Sequence, residues 1–248
     1  MTRGLRAAWR LLRSLLHGLH GLAIVWLRFG ALDAAQRQAR IRWWSAKMLR
    51  LMGIATRVEG EARAGGTLLV ANHVSWLDIA ALHAVVPQAR FVSKADLQSW
   101  PLLSRLADAA GTLYLERERK RDALRVVHAV ARALSEGQMV AVFPEGTTSD
   151  GHTLLPFHAN LLQAAIATGT PVQPVALRFS DAREPISAMV EFVGATTLVA
   201  SLWRVACAEG LVAHLTLLPA RPAAQADRRA LAQTLRDDIA AQLARAAS

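Results

Sequence analysis

The sequence predicts an α/β fold, a mainly parallel mixed sheet flanked by helices and preceded by an N-terminal pair of amphipathic helices. From residue 66 onward, short runs of β-forming residues alternate with helical stretches, which is typical of a mainly parallel sheet. The chain has 248 residues, enough for one α/β domain with a full core. Its first 50 residues instead combine many cations with leucine and tryptophan, which indicates a segment of different character.

The N-terminal segment carries almost all of the net charge. It holds ten Lys or Arg against one acid, Asp33, and so supplies +9 of the formal net charge of +10. On a helix, cations at steps of three and four form one polar stripe, with leucine and tryptophan on the opposite face. The members of this stripe are Arg3, Arg6, Arg10, Arg13, His17 and His20. A second run, residues 40–50, places cations beside Trp43 and Trp44, and both stretches predict helices at the boundary between lipid headgroups and acyl chains.

We therefore expect residues 1–50 to bind an anionic membrane surface and residues 51–248 to form the α/β domain. The cleanest apolar stretch, residues 21–27, is far shorter than the about 20 residues that a spanning helix needs. Each cation near anionic lipid contributes about 1 kcal/mol of attraction, so the segment could supply much of the membrane affinity. A secretory signal and an ordinary helix pair packed on the domain are the alternatives. Because the charge is concentrated here, nucleic acid is not an expected partner.

Seven strands and four helices are predicted beyond residue 66, one of the helices following the first strand. The strands are residues 67–71, 90–92, 112–115, 139–143, 172–179, 189–193 and 212–218. Amphipathic helices are expected over residues 121–134, closed by Gly137, and over residues 161–168, closed by Gly169. The alanine-rich stretch 223–247 predicts a terminal helix without chemistry of its own.

The candidate catalytic residues, His73 and Asp78, follow the first of these strands. Strand ends are where α/β folds build their sites. On one helix, five residues separate two side chains by about 140°, so the pair meets only if His73 precedes the helix. Ser75 and Asp78 have the spacing of a capping box, which predicts a helix that begins at Ser75. The alternative is that Asp78 only satisfies backbone donors. The spacing alone does not exclude this, because chance gives about 0.3 such His–Asp spacings per chain.

A second polar cluster follows the predicted strand 139–143. Residues 142–151 leave an apolar run for turn-forming and hydrogen-bonding residue types, among them Glu145, Gly146 and Thr147. Successive backbone amides in such a loop can cradle an anion. The alternative is an ordinary glycine-rich turn.

Five short blocks occur in order along the chain. They are Asn-His-Val-Ser-Trp-Leu-Asp at 72–78, Phe-Val-Ser-Lys at 91–94, Gly-Thr-Leu-Tyr-Leu-Glu-Arg at 111–117, Phe-Pro-Glu-Gly-Thr at 143–147 and Pro-Val-Gln-Pro-Val-Ala at 171–176. In order and spacing they resemble the glycerolipid acyltransferase family of lysophosphatidic acid (1-acyl-sn-glycerol-3-phosphate) acyltransferases. The resemblance covers roughly residues 40–215, and the ordering of the blocks is its specific part.

The resemblance implies transfer of a fatty acyl group from acyl-CoA or acyl carrier protein to the sn-2 hydroxyl of lysophosphatidic acid. The product is phosphatidic acid, and neither a cofactor nor a metal is implied. His73 would act as the general base and Asp78 would orient its ring. The residues expected to hold the acceptor are Lys94, Arg117, Glu145, Gly146 and Thr147. For Arg117 the alternative is a solvated charge in the run 116–121.

The expected location is the cytoplasmic face of the inner membrane, as a peripheral or monotopic protein. The lysolipid acceptor and the basic segment both place the protein at a membrane surface. Cys207 is the single cysteine, so neither a disulfide nor a four-cysteine zinc site is expected, and a reducing compartment fits.

Two departures from the family pattern leave the acceptor open. Many relatives have Arg where this chain has Thr148, and a lysine-rich, glycine-containing stretch where it has residues 157–160. A lyso-ornithine lipid is therefore an alternative acceptor. Two alternatives come from other classes of protein. One is a hydrolase or metal site built on His152 and His158, and the other is a non-catalytic membrane-binding module.

Overall fold

The structure is a computed structural model that describes residues 2–94, 98, 100–115 and 120–247, without the side chains of residues 94, 115, 120–123, 246 and 247. The strands are β1 Ile54–Glu59, β2 Thr67–Ala71, β3 Arg90–Lys94, β4 Leu113–Leu115, β5 Met139–Val142, β6 Val172–Ser180 and β7 Leu211–Leu217. The helices are α1 Arg3–Leu27, α2 Ala34–Met52, α3 Leu77–Val85, α4 Pro101–Ala109, α5 Lys120–Ser135, α6 Leu162–Thr168, α7 Leu198–Cys207 and α8 Arg228–Ala247, with a 3₁₀ turn at Phe29–Ala31.

The strands form one seven-stranded sheet in the described part of the chain, in the order β1-β7-β6-β2-β5-β3-β4. Five of the six pairings are parallel, and only β6 and β7 run antiparallel. The predicted mainly parallel mixed sheet is therefore confirmed. The carboxyl end of β2 lies near the middle of the sheet, where such folds place their sites.

Helices cover both faces of the sheet and bury an apolar core on each. On one face, sheet residues such as Leu69 and Leu177 pack with Met52 of α2, Leu77 of α3 and Val205 of α7. On the other face, Val70 and Val172 pack with residues of α5, α6 and α8, among them Val130, Leu162 and Leu235. Each fully buried aliphatic side chain contributes about 1.5–3 kcal/mol to folding, so both cores hold the central strands firmly in place.

Two strand predictions differ from the structure. Strand β1 was not predicted, because only Ile54 of its six residues is buried and the strand shows little apolar signal. Residues 189–193, predicted as a strand, form none. Their carbonyls serve other partners: Arg204 donates to Glu191 O at 2.6 Å and the Thr148 hydroxyl donates to Phe192 O. Because these backbone carbonyls accept hydrogen bonds from side chains, they are not available for the hydrogen-bond ladder of a sheet.

The helix ends follow their capping residues. Helix α6 closes at Gly169, which has a φ of 65°, as predicted. Helix α8 begins at Arg228 and not at residue 223, because the Asp227 side chain caps it by accepting from the amides of Arg229 and Ala230.

Helices α1 and α2 form a hairpin that is closed by an aromatic contact. The rings of His17 and Trp44 stack with centroids 5.5 Å apart. The Trp44 indole N–H donates to His17 O at 3.2 Å, and His17 Nε2 donates to Trp44 O at 3.0 Å. A Cβ on Gly21 would lie 2.3 Å from the indole nitrogen, so the close approach of the two helices requires glycine there. The hairpin packs on the domain through α2, whose Leu49 and Met52 join the core.

Three cations of the polar stripe of α1, Arg3, Arg6 and Arg10, bond to the domain, and contact of the segment with lipid stays a prediction. Arg10 donates to the carbonyls of Ala206 and Ala208 at 3.0 and 2.7 Å, and Arg3 donates to Cys207 O. These carbonyls at the end of α7 lack helical partners and attract cations. The opposite, apolar face of α1 is exposed, at Leu5, Trp9, Leu12, Leu15, Leu16 and Leu19. No helix within residues 2–94, 98, 100–115 and 120–247 is both long and apolar enough to cross a membrane.

Candidate active site

Asn72 directly follows strand β2 and sets the position of the turn that carries His73. Its side chain donates to Leu177 O at 2.9 Å and accepts from the Leu177 amide at 2.7 Å. Because both bonds go to the backbone of Leu177 on β6, the side chain takes the place of a pair of ladder hydrogen bonds. The side chain is fully buried, where backbone groups need such partners. The sequence placed Asn72 in a motif without assigning it a role, and its position immediately before His73 was the available signal.

His73 and Asp78 meet as predicted. His73 Nδ1 lies 2.7 Å from Asp78 Oδ2. The same oxygen accepts the amides of Val74 and Ser75, at 2.7 and 3.0 Å. Asp78 is 0% exposed, whereas the His73 side chain keeps 20% of its surface. Because the carboxylate accepts a hydrogen bond from Nδ1–H, the proton of the neutral ring stays on Nδ1 and the Nε2 lone pair is left to act as a base.

The helix after the turn begins later than predicted. Helix α3 starts at Leu77 and not at Ser75. The Asp78 carboxylate does accept the Ser75 amide, but the Asp78 amide donates to the Ser75 carbonyl, not to its hydroxyl. The Ser75 hydroxyl is buried and has no hydrogen-bond partner among the residues that the structure describes. Only half of the predicted capping box forms, and the other half gives way to a backbone turn.

Phe143 fixes the plane of the catalytic ring. The rings of His73 and Phe143 stack with centroids 4.1 Å apart and planes 12° apart, and Phe91 stacks on Phe143 in turn at 5.8 Å. Packing on one side and a hydrogen bond on the other hold the imidazole in one orientation, which base catalysis requires.

Glu145 and Ser149 clamp the 143–151 loop onto the backbone of His73. Glu145 Oε1 accepts the His73 amide at 2.7 Å, and Oε2 accepts the Leu155 amide at 2.9 Å. The Ser149 amide donates to His73 O at 2.8 Å. Glu145 is 3% exposed, and burial raises the pKa of its carboxyl while the two amides oppose that shift. Direct contact of Glu145 with the acceptor stays a prediction, and its observed contacts position the catalytic turn.

Gly146 and Thr147 form the exposed tip of this loop. Gly146 has a φ of 70°, and a Cβ there would lie 3.3 Å from the ring of His158. The positive φ favours glycine, and a Cβ would require only a small shift of the exposed His158 ring. Thr148, where many relatives have Arg, donates its hydroxyl proton to Phe192 O and is held against the domain.

The cations predicted to hold the acceptor fall mostly outside the described residues. Arg117 lies outside them, and only the backbone of Lys94, at the end of β3, is described. No cluster of three or more His, Cys, Asp or Glu in the described part of the chain could hold a metal. His152, a residue of the metal alternative, donates its amide to Asp150 Oδ1 at 2.9 Å in a local turn.

Replacing Glu145 with glutamine is expected to destabilise the protein by about 1–3 kcal/mol. An amide side chain has only one oxygen, so its NH₂ group must face the amide of either His73 or Leu155. Thermal or denaturant unfolding measures the loss. The matched control is Glu61→Gln at an exposed position, which should unfold like the wild type. Equal stability of the two variants would show that the clamp does not hold the loop.

Comparisons with known proteins show the family and the fold of the chain. The profile of the acyltransferase family matches residues 55–178. A lyso-ornithine lipid O-acyltransferase of Pseudomonas aeruginosa is 39% identical over 197 residues, 79% of this chain and 75% of that protein. A 1-acyl-sn-glycerol-3-phosphate acyltransferase of Neisseria meningitidis is 39% identical over 180 residues, 72% of this chain and 70% of that protein. The crystal structure of the 1-acyl-sn-glycerophosphate acyltransferase PlsC from Thermotoga maritima superposes with a TM-score of 0.69 at 20% identity, covering 95% of this chain and 97% of that one.

Proposed function

This chain belongs to the acyltransferase family, and we propose that it acylates the sn-2 hydroxyl of lysophosphatidic acid to give phosphatidic acid. Without regard to its acceptor, the protein is a lysolipid acyltransferase, an enzyme of lipid biosynthesis. The observation that carries the proposal is the His73–Asp78 pair, in which Nδ1 and Oδ2 lie 2.7 Å apart while Nε2 of His73 has no hydrogen-bond partner among the residues that the structure describes. The proposed acyl donor is a thioester, acyl-CoA or acyl carrier protein.

In the proposed mechanism the lysolipid hydroxyl attacks the thioester directly. His73 Nε2 takes the hydroxyl proton as the oxygen bonds to the carbonyl carbon, and Asp78 stabilises the imidazolium that forms. The tetrahedral intermediate then expels the thiolate, which receives the proton from His73. No covalent acyl-enzyme is needed, so the mechanism requires no serine or cysteine nucleophile.

A lyso-ornithine lipid is the second candidate acceptor. Thr148 supports it, because its hydroxyl bonds to Phe192 O and its side chain supplies no cation for a phosphate. The two relatives named above are equally identical to the chain, and each represents one of the two acceptors.

The acceptor is tested by measuring transfer of a labelled acyl group in lipid vesicles. Acyl-CoA and acyl carrier protein are each offered with lysophosphatidic acid and with lyso-ornithine lipid. We expect phosphatidic acid as the main product. Product from the ornithine lipid alone would overturn the acceptor and retain the mechanism. Absence of product from either acceptor would contradict the proposed function itself.

We propose that the exposed apolar face of α1 inserts into the membrane surface on the side where the lysolipid lies, the cytoplasmic face of the inner membrane. Leu15 and Leu16 are 62% and 57% exposed on this face. Each buried leucine contributes about 1.5–3 kcal/mol, so a few such residues suffice to hold the protein on lipid. Arg13 and Arg28 are also exposed on or next to α1 and can meet anionic headgroups.

The double variant Leu15→Asp/Leu16→Asp is expected to bind vesicles about 100-fold more weakly than the wild type. Both side chains project from the domain, so the change removes apolar surface without disturbing the core. Vesicle co-sedimentation measures the affinity. Leu124→Asp on α5 is the matched control, because Leu124 is equally exposed at 61% but lies on the other side of the sheet. Equal losses in both variants would contradict insertion of α1.

A further inference from the structure

Three basic side chains stand side by side across strands β1, β7 and β6. The register places Arg57 opposite His214, and His214 opposite Arg178. Residues directly opposite on neighbouring strands share a face of the sheet, with Cβ atoms about 5 Å apart. We call Arg57, His214 and Arg178 the basic row.

Within the part of the chain that the structure describes, the arginines of the basic row lack a paired carboxylate, although the negative charge of Glu59 acts on Arg178 and His214. None of the three side chains forms an ion pair with a carboxylate in the described part of the chain. Nε of Arg178 is buried there without a hydrogen-bond partner, although Nη1 donates to Pro185 O. The two guanidinium groups lie on the strands on either side of His214, about 10 Å apart across the sheet. Rigid strands thus hold two cations where both can contact one anionic ligand.

The electrostatics of His214 agree with this arrangement. Burial lowers the pKa of its ring, and Arg178 and Arg57 lower it further, while only Glu59 opposes them. His214 Nε2 lies 2.8 Å from the Ser180 hydroxyl. A bound anion would offset the repulsion from both arginines.

The basic row lies at the same edge of the sheet as the catalytic turn. Strand β6 runs parallel to β2 with Val175 opposite Ala71, so Arg178 extends beyond the end of β2. Adjacent strands are about 4.8 Å apart, which places the row about 5–15 Å sideways from β2.

The row also lies on the opposite face of the sheet from α1. Residues of a strand alternate between faces, so Arg178 shares its face with Ala176, which packs against Ile239 of α8. Helix α1 joins the core of the other face through Ala7. A ligand of the row therefore approaches from the side away from the apolar surface of α1.

We propose that the basic row binds the phosphate groups of coenzyme A when acyl-CoA is the acyl donor. Guanidinium groups match phosphate oxygens in charge and in bidentate geometry. The long pantetheine arm of the donor separates these phosphates from the thioester, so the nucleotide can occupy the row while the thioester reaches His73. The phosphate of a lipid headgroup is the other group that the basic row could bind. The row lies on the face of the sheet opposite α1, away from the proposed membrane surface, and this position disfavours a lipid. The inference rests on the proposed function for the identity of the donor.

Coenzyme A binding to the full-length protein in detergent, measured by calorimetry, tests the proposal. Arg57→Gln and Arg178→Gln are each expected to weaken coenzyme A binding about tenfold. Arg40→Gln, at an exposed position on α2, should bind it like the wild type. Because Arg57 is exposed on an edge strand, its variant keeps the test valid even if Arg178→Gln folds poorly. Unchanged coenzyme A affinity in Arg57→Gln would overturn the proposal.

Further probes separate the two sources of phosphate. Pantetheine, which lacks the phosphates, should bind wild type and Arg57→Gln equally. Vesicles of anionic lipid should also bind both equally, and weaker vesicle binding with unchanged coenzyme A binding would reassign the row to lipid. By NMR titration, coenzyme A should raise the pKa of His214. These measurements involve no turnover, so they remain interpretable even if neither lysolipid is acylated.

Discussion

The variant His73→Ala is expected to lose about 10²- to 10⁴-fold in kcat, the range that a positioned general base contributes. Within the described residues, Nε2 of His73 has no hydrogen-bond partner, so its lone pair is free. The other ring nitrogen, Nδ1, is hydrogen-bonded to the buried carboxylate of Asp78. Alanine leaves no group there that can take the proton of the attacking hydroxyl. Acyl transfer at saturating substrate measures the loss.

Two observations separate loss of the base from loss of the fold. The ring of His73 stacks on Phe143, so its removal also opens a small gap, and thermal unfolding should be recorded for the same preparation. His128→Ala, at an exposed position on α5, is the matched control and should retain full activity. A folded His73→Ala protein with activity within tenfold of the wild type would refute base catalysis by His73.

The position of the catalytic pair could be predicted because it depends on local signals. A β-rich run, a turn and a helix signal follow one another within residues 67–85, and the structure brings His73 and Asp78 together there. The helix start was misplaced because the Asp78 amide pairs with a backbone carbonyl, a choice that residue types do not reveal. Spacing thus predicts which side chains meet better than it predicts which hydrogen bonds they form.

The orientation of α1 could not be predicted from its own sequence. An amphipathic pattern identifies two faces, but the partner decides which of them is buried. Here the unpaired carbonyls at the end of α7 attract Arg3 and Arg10, and α7 lies about 200 residues away in the chain. For the same reason the contacts of Glu145 with the amides of His73 and Leu155 could not be predicted, since nothing in its loop indicates that these amides require a carboxylate.

The variant Asp78→Asn is expected to lose about 10³-fold in kcat while the turn keeps its shape. The amides of Val74 and Ser75 both point at Oδ2, so the oxygen of asparagine must occupy that position. That oxygen can still accept a hydrogen bond from Nδ1–H of His73, so the tautomer of the ring is preserved. The variant loses the negative charge, which at about 4 Å and an effective dielectric constant of 20 stabilises an imidazolium by about 4 kcal/mol.

This result decides whether Asp78 serves the chemistry or only the backbone. If its role is to satisfy the amides of Val74 and Ser75, Asp78→Asn retains activity within tenfold of the wild type, whereas Asp78→Ala unfolds more easily. If the charge stabilises the imidazolium, Asp78→Asn loses activity with little loss of stability, because both amides keep an acceptor. Asp237→Asn, an exposed change on α8, controls for loss of charge in general. Rates and unfolding curves of the three variants therefore separate the electrostatic role of the carboxylate from its role in shaping the turn.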